Sequence, residues 1–239
     1  FKQKTAYEIG VRLVGSEMCI RDRVAVGAIE FSQALELVRE RGRLMQHAGE
    51  LEPGKMAAII GMDDDDVRAL CAELFSSGDA VPANFNAPGQ VVVSGKAAAV
   101  DKVAKVAPER GAKRAIELTV SGAFHSKLMA PAAEQMQSLI AGAELKEPEL
   151  PVITNVSAEP VEDVGQLREH LIAQITSPVR WTETIGYLAG AGVERAVEVG
   201  PGAVLKGMAR RTKSAPEVQT AGTVEDLPAA AAWAQTGDR

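Results

Sequence analysis

The feature that narrows the fold most is a repeated switch of apolar period between residues 55 and 120. "PGKMAAIIG" is a short apolar run after a Pro-Gly turn and reads as a buried strand. "DDDDVRALCAELFSSG" reads as a helix, with carboxylates in its first turn and Gly78 past its end. "DAVPANFNAPGQVVVSG" gives two extended runs parted by a turn at "NAPG". "KAAAVDKVAKVAPERG" is a second helix, and "AKRAIELTV" a further strand. The order β-α-β-β-α-β admits few packings, because each helix must cross the sheet that its neighbouring strands build.

That order is the ferredoxin-like split βαβ unit, expected over residues 54–120. Before it, "VGAIEFSQALELVRERGRLMQHAGE" places Ile29, Phe31, Leu35, Val38 and Leu44–Met45 on one helical face. After it, helices are expected over 127–143, 163–175 and 179–190, with "LPVITNV" a strand between the first two. "VERAVEVGPG" then reads as a strand running into a glycine turn, "AVLKGMARRT" as a helix, "VQTAG" as a strand, and 225–235 as a last helix. Strands alternating with helices predict an α/β domain with a parallel sheet, built from 24–53 and 121–239 and interrupted by the smaller unit. Aromatics make up only 4% of the chain, so the core must be aliphatic.

The net charge of −6 argues against nonspecific nucleic-acid binding. Two cysteines, Cys19 and Cys71, are too few for a disulfide framework or a metal cluster, and a reducing cytoplasm is the default. Cys71 is expected to be a buried, inert thiol. The four aspartates at 63–66 splay in different directions and complement a helix dipole, so no metal site is read there. "EVGPGAVL" lacks both glycine-rich phosphate-loop spacings and reads as a strand-to-helix turn.

Of the three histidines, His47 and His170 sit on polar helical stretches and are expected on solvated faces. His125 differs: "LTVSGAFHSKLMAP" places it in a small-residue loop between a strand and a helix, where catalytic groups tend to sit. Its bland reading is a neighbour of a helix-capping Ser126. Arg41, in "LVRERGRLMQ", is a solvated helix residue unless a carboxylate partner, internal or on a substrate, draws it inward. A histidine base calls for a nucleophile, but no G-x-S-x-G elbow occurs, and Ser121 and Ser126 stand too close to His125 in sequence.

Taken in order, "GAIEFSQALELVRERGRLMQ…KMAAIIG", "NFNAPGQVVVSG", "SGAFHSKLM", "QITSPVRW" and "VEVGPGAVLKGMARR" closely resemble the malonyl-CoA:acyl-carrier-protein transacylases of fatty-acid synthesis, over roughly residues 26–215. The resemblance implies a partial α/β-hydrolase-like domain with a ferredoxin-like insertion. It also implies transfer of malonyl from coenzyme A to a carrier-protein thiol through an acyl-serine, without metal or organic cofactor. In it, His125 is the base, and Gln174 supplies the backbone carbonyl that orients it. Arg41 grips the free malonyl carboxylate, and Phe124 disfavours a methyl branch. Malonyl-CoA and acyl carrier protein are the implied partners, the complete protein is expected to be a cytoplasmic monomer, and neither membrane nor nucleic acid is involved. Lys113 and Arg114, with Lys102 and Lys105, or else Lys206, Arg210, Arg211 and Lys213, could dock an acidic carrier. An excised polyketide-synthase acyltransferase domain and a non-catalytic carrier-binding module are the alternatives.

The family's G-H-S-x-G elbow belongs just upstream of "VAVGAI", where this chain carries "FKQKTAYEIGVRLVGSEMCIRDR". That stretch has five basic and three acidic residues, against 21 and 29 in the remainder. "KQKTAYEI" back-translates to a flow-cell primer of short-read sequencing, and "RLVGSEMCIRD" to a transposase library adapter. Residues 1 to about 23 are therefore expected to be translated adapter joined to an N-terminally truncated gene, and the chain as written to be inactive. Amplifying the source locus across the junction tests this; a contiguous genomic match would sink it.

Overall fold

The computed structural model describes residues 18–235, so the expected adapter stretch lies outside the described residues up to residue 17. The described chain falls into two compact units, one reaching residue 181 and one starting at 182.

The first unit opens with helix α1 (Met18–Ala25) and helix α2 (Phe31–Leu51). The buried stripe of α2 is Ala34, Leu37, Arg41, Leu44, Met45, Ala48 and Gly49. The sequence pointed to a face containing Phe31 and Leu35, yet these are 69% and 58% exposed. The stripe is rotated because alanine and glycine, weak hydrophobic signals individually, form the surface that closes against a neighbour. Gly49 shows why: a Cβ there would meet the Ser121 carbonyl oxygen at 2.5 Å. Only a residue without a side chain lets α2 approach the segment that leads to His125.

Then come β1 (Gly54–Ile60), α3 (Asp64–Leu74), β2 (Ala80–Ala87), β3 (Gln90–Lys96), α4 (Ala97–Val106) and β4 (Arg114–Glu117). The sheet order is β2-β3-β1-β4 and every pairing is antiparallel, which is the ferredoxin-like topology. Met56, Ala57, Ala58 and Ile59 are all buried, so this strand is covered on both faces. Ala57 and Ile59 join Val67 and Leu70 of α3 and Val100 and Val103 of α4 in one core. Each such aliphatic side chain contributes about 1.5–3 kcal/mol on burial. The four aspartates do open a helix, with Asp63 at its cap position, and Cys71 is buried, its thiol pushed up to about 12 by desolvation. The outer edge of β2 is not left bare. Phe85 N donates to Val179 O and Val179 N to Ala83 O, both at 2.8 Å, tying the inserted sheet to the chain around residue 179.

A short 3-10 turn (Lys127–Met129) leads into α5 (Ala130–Ala141), which packs against α2. The expected strand "LPVITNV" reduces to β5 (Val152–Ile153), paired antiparallel with β6 (Pro160–Val161) rather than taking a place in a parallel sheet. The chain reverses there: Ala158 N donates to Thr154 O at 2.9 Å, and Ala158 adopts a φ of 55°. Helix α6 (Val164–Ala173) follows, its start capped by the Asp163 side chain. Helix α7 is Trp181–Gly190.

In that second unit β7 (Arg195–Val199) and β8 (Glu217–Ala221) pair in parallel, joined through α8 (Val204–Ala209). Helix α9 (Leu227–Gln235) packs on both strands. Among the described residues these two strands form a separate two-stranded parallel sheet. No helix of the described residues is long and apolar enough to cross a membrane.

Candidate functional site

His125 is held in a backbone conformation that few side chains adopt. Its φ is 58°, in the left-handed region, where a non-glycine residue costs free energy and persists only if its surroundings fix it. Two carbonyls do so. Nδ1 lies 2.9 Å from Gln174 O and 3.0 Å from Ser177 O. A carbonyl only accepts, so Nδ1 carries the proton and Nε2 presents its lone pair. Nε2 has no hydrogen-bond partner among the described residues.

The carbonyls are available for a reason that lies in helix ends. Gln174 caps the C-terminus of α6, where the last carbonyls have no intrahelical partner and carry the negative end of the dipole. Ser177 precedes Pro178, whose ring biases it away from helical backbone. Together they do the orienting work that a carboxylate does in many histidine sites, without adding a charge.

The ring is 2% exposed, and its titration falls to about 4. Desolvation is the main cause and repulsion by Arg41 the second, with the two carbonyls acting the other way. At neutral pH His125 is thus an uncharged base. A cavity of about 320 Å³ borders it, lined among others by Gly78, Pro82, Lys127, Thr176 and Pro178.

Arg41 reaches the same place from the middle of α2. It is 3% exposed, and its Nη2 donates to Gln174 Oε1 at 3.3 Å. The solvated-face reading of Arg41 is therefore wrong: the side chain turns inward, to the residue that also orients His125. Phe124, buried beside His125, completes the group that the sequence singled out. Ser126 is buried and committed, its hydroxyl donating to Ala123 O at 2.7 Å and accepting from Leu128 N, while Ser121 is exposed. Neither serine is presented to the histidine as a nucleophile.

Beside the cavity, Lys127 Nζ donates to Ser77 O and to Asp79 Oδ1, both at 2.9 Å, and Lys96 approaches Asp79 at 3.1 Å. The Lys127 bond, then the Lys96 bond, hold the Asp79 carboxyl well below the usual range. The loop after His125 is in this way anchored to the start of β2.

Sequence reasoning missed the Ser177 carbonyl and the side-chain contact of Gln174. It also placed His170 on a solvated face, whereas His170 is half-buried and within 2.8 Å of Thr154 Oγ1. His47 is exposed, as expected. Lys113 and Arg114 are exposed where β4 begins, on an outer strand of the sheet. In the second unit, Glu198 accepts from the amides of Leu205 and Lys206 at 3.0 and 2.9 Å. The chain's own carboxylate thus occupies the helix start after "GPG", in keeping with a strand-to-helix turn rather than a phosphate loop. Among the described residues no group of three or more His, Cys, Asp or Glu could hold a metal ion.

Residues 23–230 match the acyl transferase domain family. The malonyl CoA-acyl carrier protein transacylase of Bacillus subtilis is 43% identical over 189 residues, covering 79% of this chain and 60% of that protein. The Escherichia coli protein of the same name is 40% identical over 188 residues, with coverages of 79% and 61%. The chain thus spans about 60% of the length of these curated relatives. The acyl-carrier-protein S-malonyltransferase of Bartonella henselae superposes with a TM-score of 0.87 at 39% identity, over 92% of this chain and 70% of that one. A chain from the complex of a type II polyketide synthase acyl-carrier protein with its malonyl-transacylase gives 0.83 at 36%, over 89% and 69%.

Proposed function

The chain belongs to the acyl transferase domain family, and we propose that it carries the base and the carboxylate grip of a malonyl-CoA:acyl-carrier-protein transacylase. The observation that carries this reading is the convergence on Gln174. Its backbone carbonyl accepts a hydrogen bond from His125 Nδ1 and its side-chain Oε1 accepts one from Arg41 Nη2. A base and a cation fixed on one residue suit a substrate with a reactive carbonyl at one end and a free carboxylate at the other.

In the proposed reaction a serine hydroxyl attacks the malonyl thioester as its proton passes to His125 Nε2. The thioester bond breaks, and the coenzyme A thiolate leaves with that proton. The carrier thiol then gives its proton to the same nitrogen and attacks the acyl-serine, and the serine oxygen leaves by taking that proton back from Nε2. Arg41 holds the malonyl carboxylate through both steps, and Phe124 narrows the space beside the α-carbon. No cofactor is required beyond the coenzyme A thioester itself, and the setting is cytoplasmic.

The family's serine elbow is absent from this sequence. Losing a triad nucleophile costs about 10⁶-fold in rate in a serine protease. We therefore propose that the chain as written binds without turning over. Residues 1–23 are read as foreign to a core formed by 24–53 and 121–239 around 54–120. The expected result in calorimetry is reversible binding of malonyl-CoA in preference to acetyl-CoA, with no acyl-serine by mass spectrometry. Equal binding of the two thioesters, or a serine adduct, would overturn the reading.

Carrier docking is proposed at Lys113 and Arg114, where an exposed basic pair offers charge complementarity to an acidic carrier. Reversing both charges is expected to weaken carrier binding in surface-plasmon measurements; unchanged affinity would remove this patch from consideration. A second reading, a polyketide-synthase acyltransferase domain, draws on the neighbour solved with a polyketide carrier protein. Continuation of the gene into further synthase domains would decide for it.

A further inference from the structure

Two carbonyls fix the His125 ring, but the left-handed turn of its backbone needs support of its own. Part of that support lies two residues further on. Lys127 Nζ donates to Asp79 Oδ1 and to the Ser77 carbonyl, both at 2.9 Å. Asp79 is itself firmly held. Its main-chain oxygen accepts from Lys96 N at 2.8 Å, and a Cβ on Gly95 would meet that oxygen at 2.0 Å. Its carboxylate takes a second ammonium, Lys96 Nζ, at 3.1 Å on the same Oδ1. The two lysines are half-exposed and the carboxylate is 25% exposed, and an isolated surface pair of this kind contributes little. Here one carboxylate on a pinned backbone serves two cations, and one of those cations also bonds a carbonyl, so the contacts support each other. Gly78 and Lys127 line the same cavity as His125, which puts this network at the site.

We propose that Asp79 and Lys127 are positioning residues for His125: their ion pair clamps the loop in the left-handed turn that keeps Nδ1 on its two carbonyls. The inference rests on the proposed function, in which His125 is the base, and deepens it by naming what holds that base. The Ser126 hydroxyl bonds to Ala123 O and Leu128 N lie within the loop and move with it. The Lys127 bonds cross instead to the turn before β2, on a distant part of the chain. Without them the strained backbone relaxes, and the ring slips off Gln174 O and Ser177 O. The Nδ1 proton then meets water, and nothing separates the two neutral tautomers. Lys96 supplies the internal control. It binds the same oxygen from the end of β3, so its loss removes a cation from Asp79 while the Lys127 bonds stay.

The experiment records the His125 ring-nitrogen resonances and the hydrogen exchange of Nδ1–H by NMR, beside urea unfolding. It uses the full chain and its Lys127→Met, Lys127→Arg, Asp79→Asn and Lys96→Met variants. For Lys127→Met the expected result is Nδ1–H exchange at least about fivefold faster than its change in global stability accounts for, with the two ring-nitrogen resonances drawn together. Lys127→Arg, which keeps the charge and the donors, is expected to stay within about twofold of the parent, and so is Lys96→Met. Asp79→Asn keeps the size of the side chain but not its charge. It is expected to move several-fold in the same direction, and it carries the test if the methionine variant does not fold. Ring signals unchanged in both Lys127→Met and Asp79→Asn, or moved as far by Lys96→Met, would overturn the clamp. Equal binding of malonyl-CoA and acetyl-CoA by the parent chain, with the ring signals moving as expected, would refute the functional reading and leave the clamp standing.

Discussion

Replacing Arg41 by leucine is expected to lower malonyl-CoA affinity by about 100-fold, about 2.7 kcal/mol, and to leave acetyl-CoA binding nearly unchanged. The magnitude follows from what a buried guanidinium offers a carboxylate, which is two charge-assisted hydrogen bonds worth about 1.5–3 kcal/mol each, less what the carboxylate gives up in leaving water. Acetyl lacks the carboxylate and loses nothing when the cation is removed. Folding stability is expected to fall modestly, because leucine leaves the buried Gln174 Oε1 without the N–H it accepts from Arg41. Calorimetry with both thioesters, read beside a urea titration of the same variant, separates the two effects, since loss of the grip lowers malonyl-CoA binding alone. Equal falls for malonyl-CoA and acetyl-CoA would mean that Arg41 is a structural residue and not a grip.

How much of this was legible beforehand depended on where the information sits. The split βαβ unit could be read because its strands and helices differ in apolar period, and each change of period is marked by a turn such as "NAPG" or a Gly such as Gly78. The face of α2 could not, because Ala34, Ala48 and Gly49 are buried for their smallness. Patterns of large apolar residues favoured Phe31 and Leu35, which face solvent. The strand at 152 was overextended because an apolar run does not announce the reversal at Thr154–Ala158. At the site, His125 stood out by its loop between two regular elements. Ser177 did not, since it acts through a main-chain carbonyl that any residue type would carry, and only the following Pro178 hints at the bend. Arg41 was ambiguous in the sequence for a physical reason: an inward arginine and an outward one have the same local pattern until the partner, 133 positions away, is brought alongside.

Acid is expected to unfold this protein earlier than its carboxylates alone would dictate, and His125 is the cause. Its titration is depressed from the usual 6.5 to about 4 by burial first and Arg41 second. Above pH 6.5 the ring is neutral in both folded and unfolded chains and contributes no pH dependence. Between pH 6.5 and 4 the unfolded chain takes up a proton that the folded chain refuses, so stability falls as pH falls, by on the order of 3 kcal/mol in all. Against a typical net stability of about 5–15 kcal/mol that is a large fraction. His170 shifts in the same direction, through its own burial and then Arg23, and the Asp79 carboxyl loses its lysine partners only at lower pH. The variant that isolates the effect is His125→Asn, because asparagine tolerates the left-handed backbone required at a φ of 58° and does not titrate. Urea unfolding of both chains from pH 7.5 to 4 is expected to show the parent losing stability more steeply, with the two curves converging as pH drops. Parallel curves would mean that the ring accepts a proton within the fold at its ordinary pKa, and the picture of a dry, neutral base held between two carbonyls would have to be abandoned.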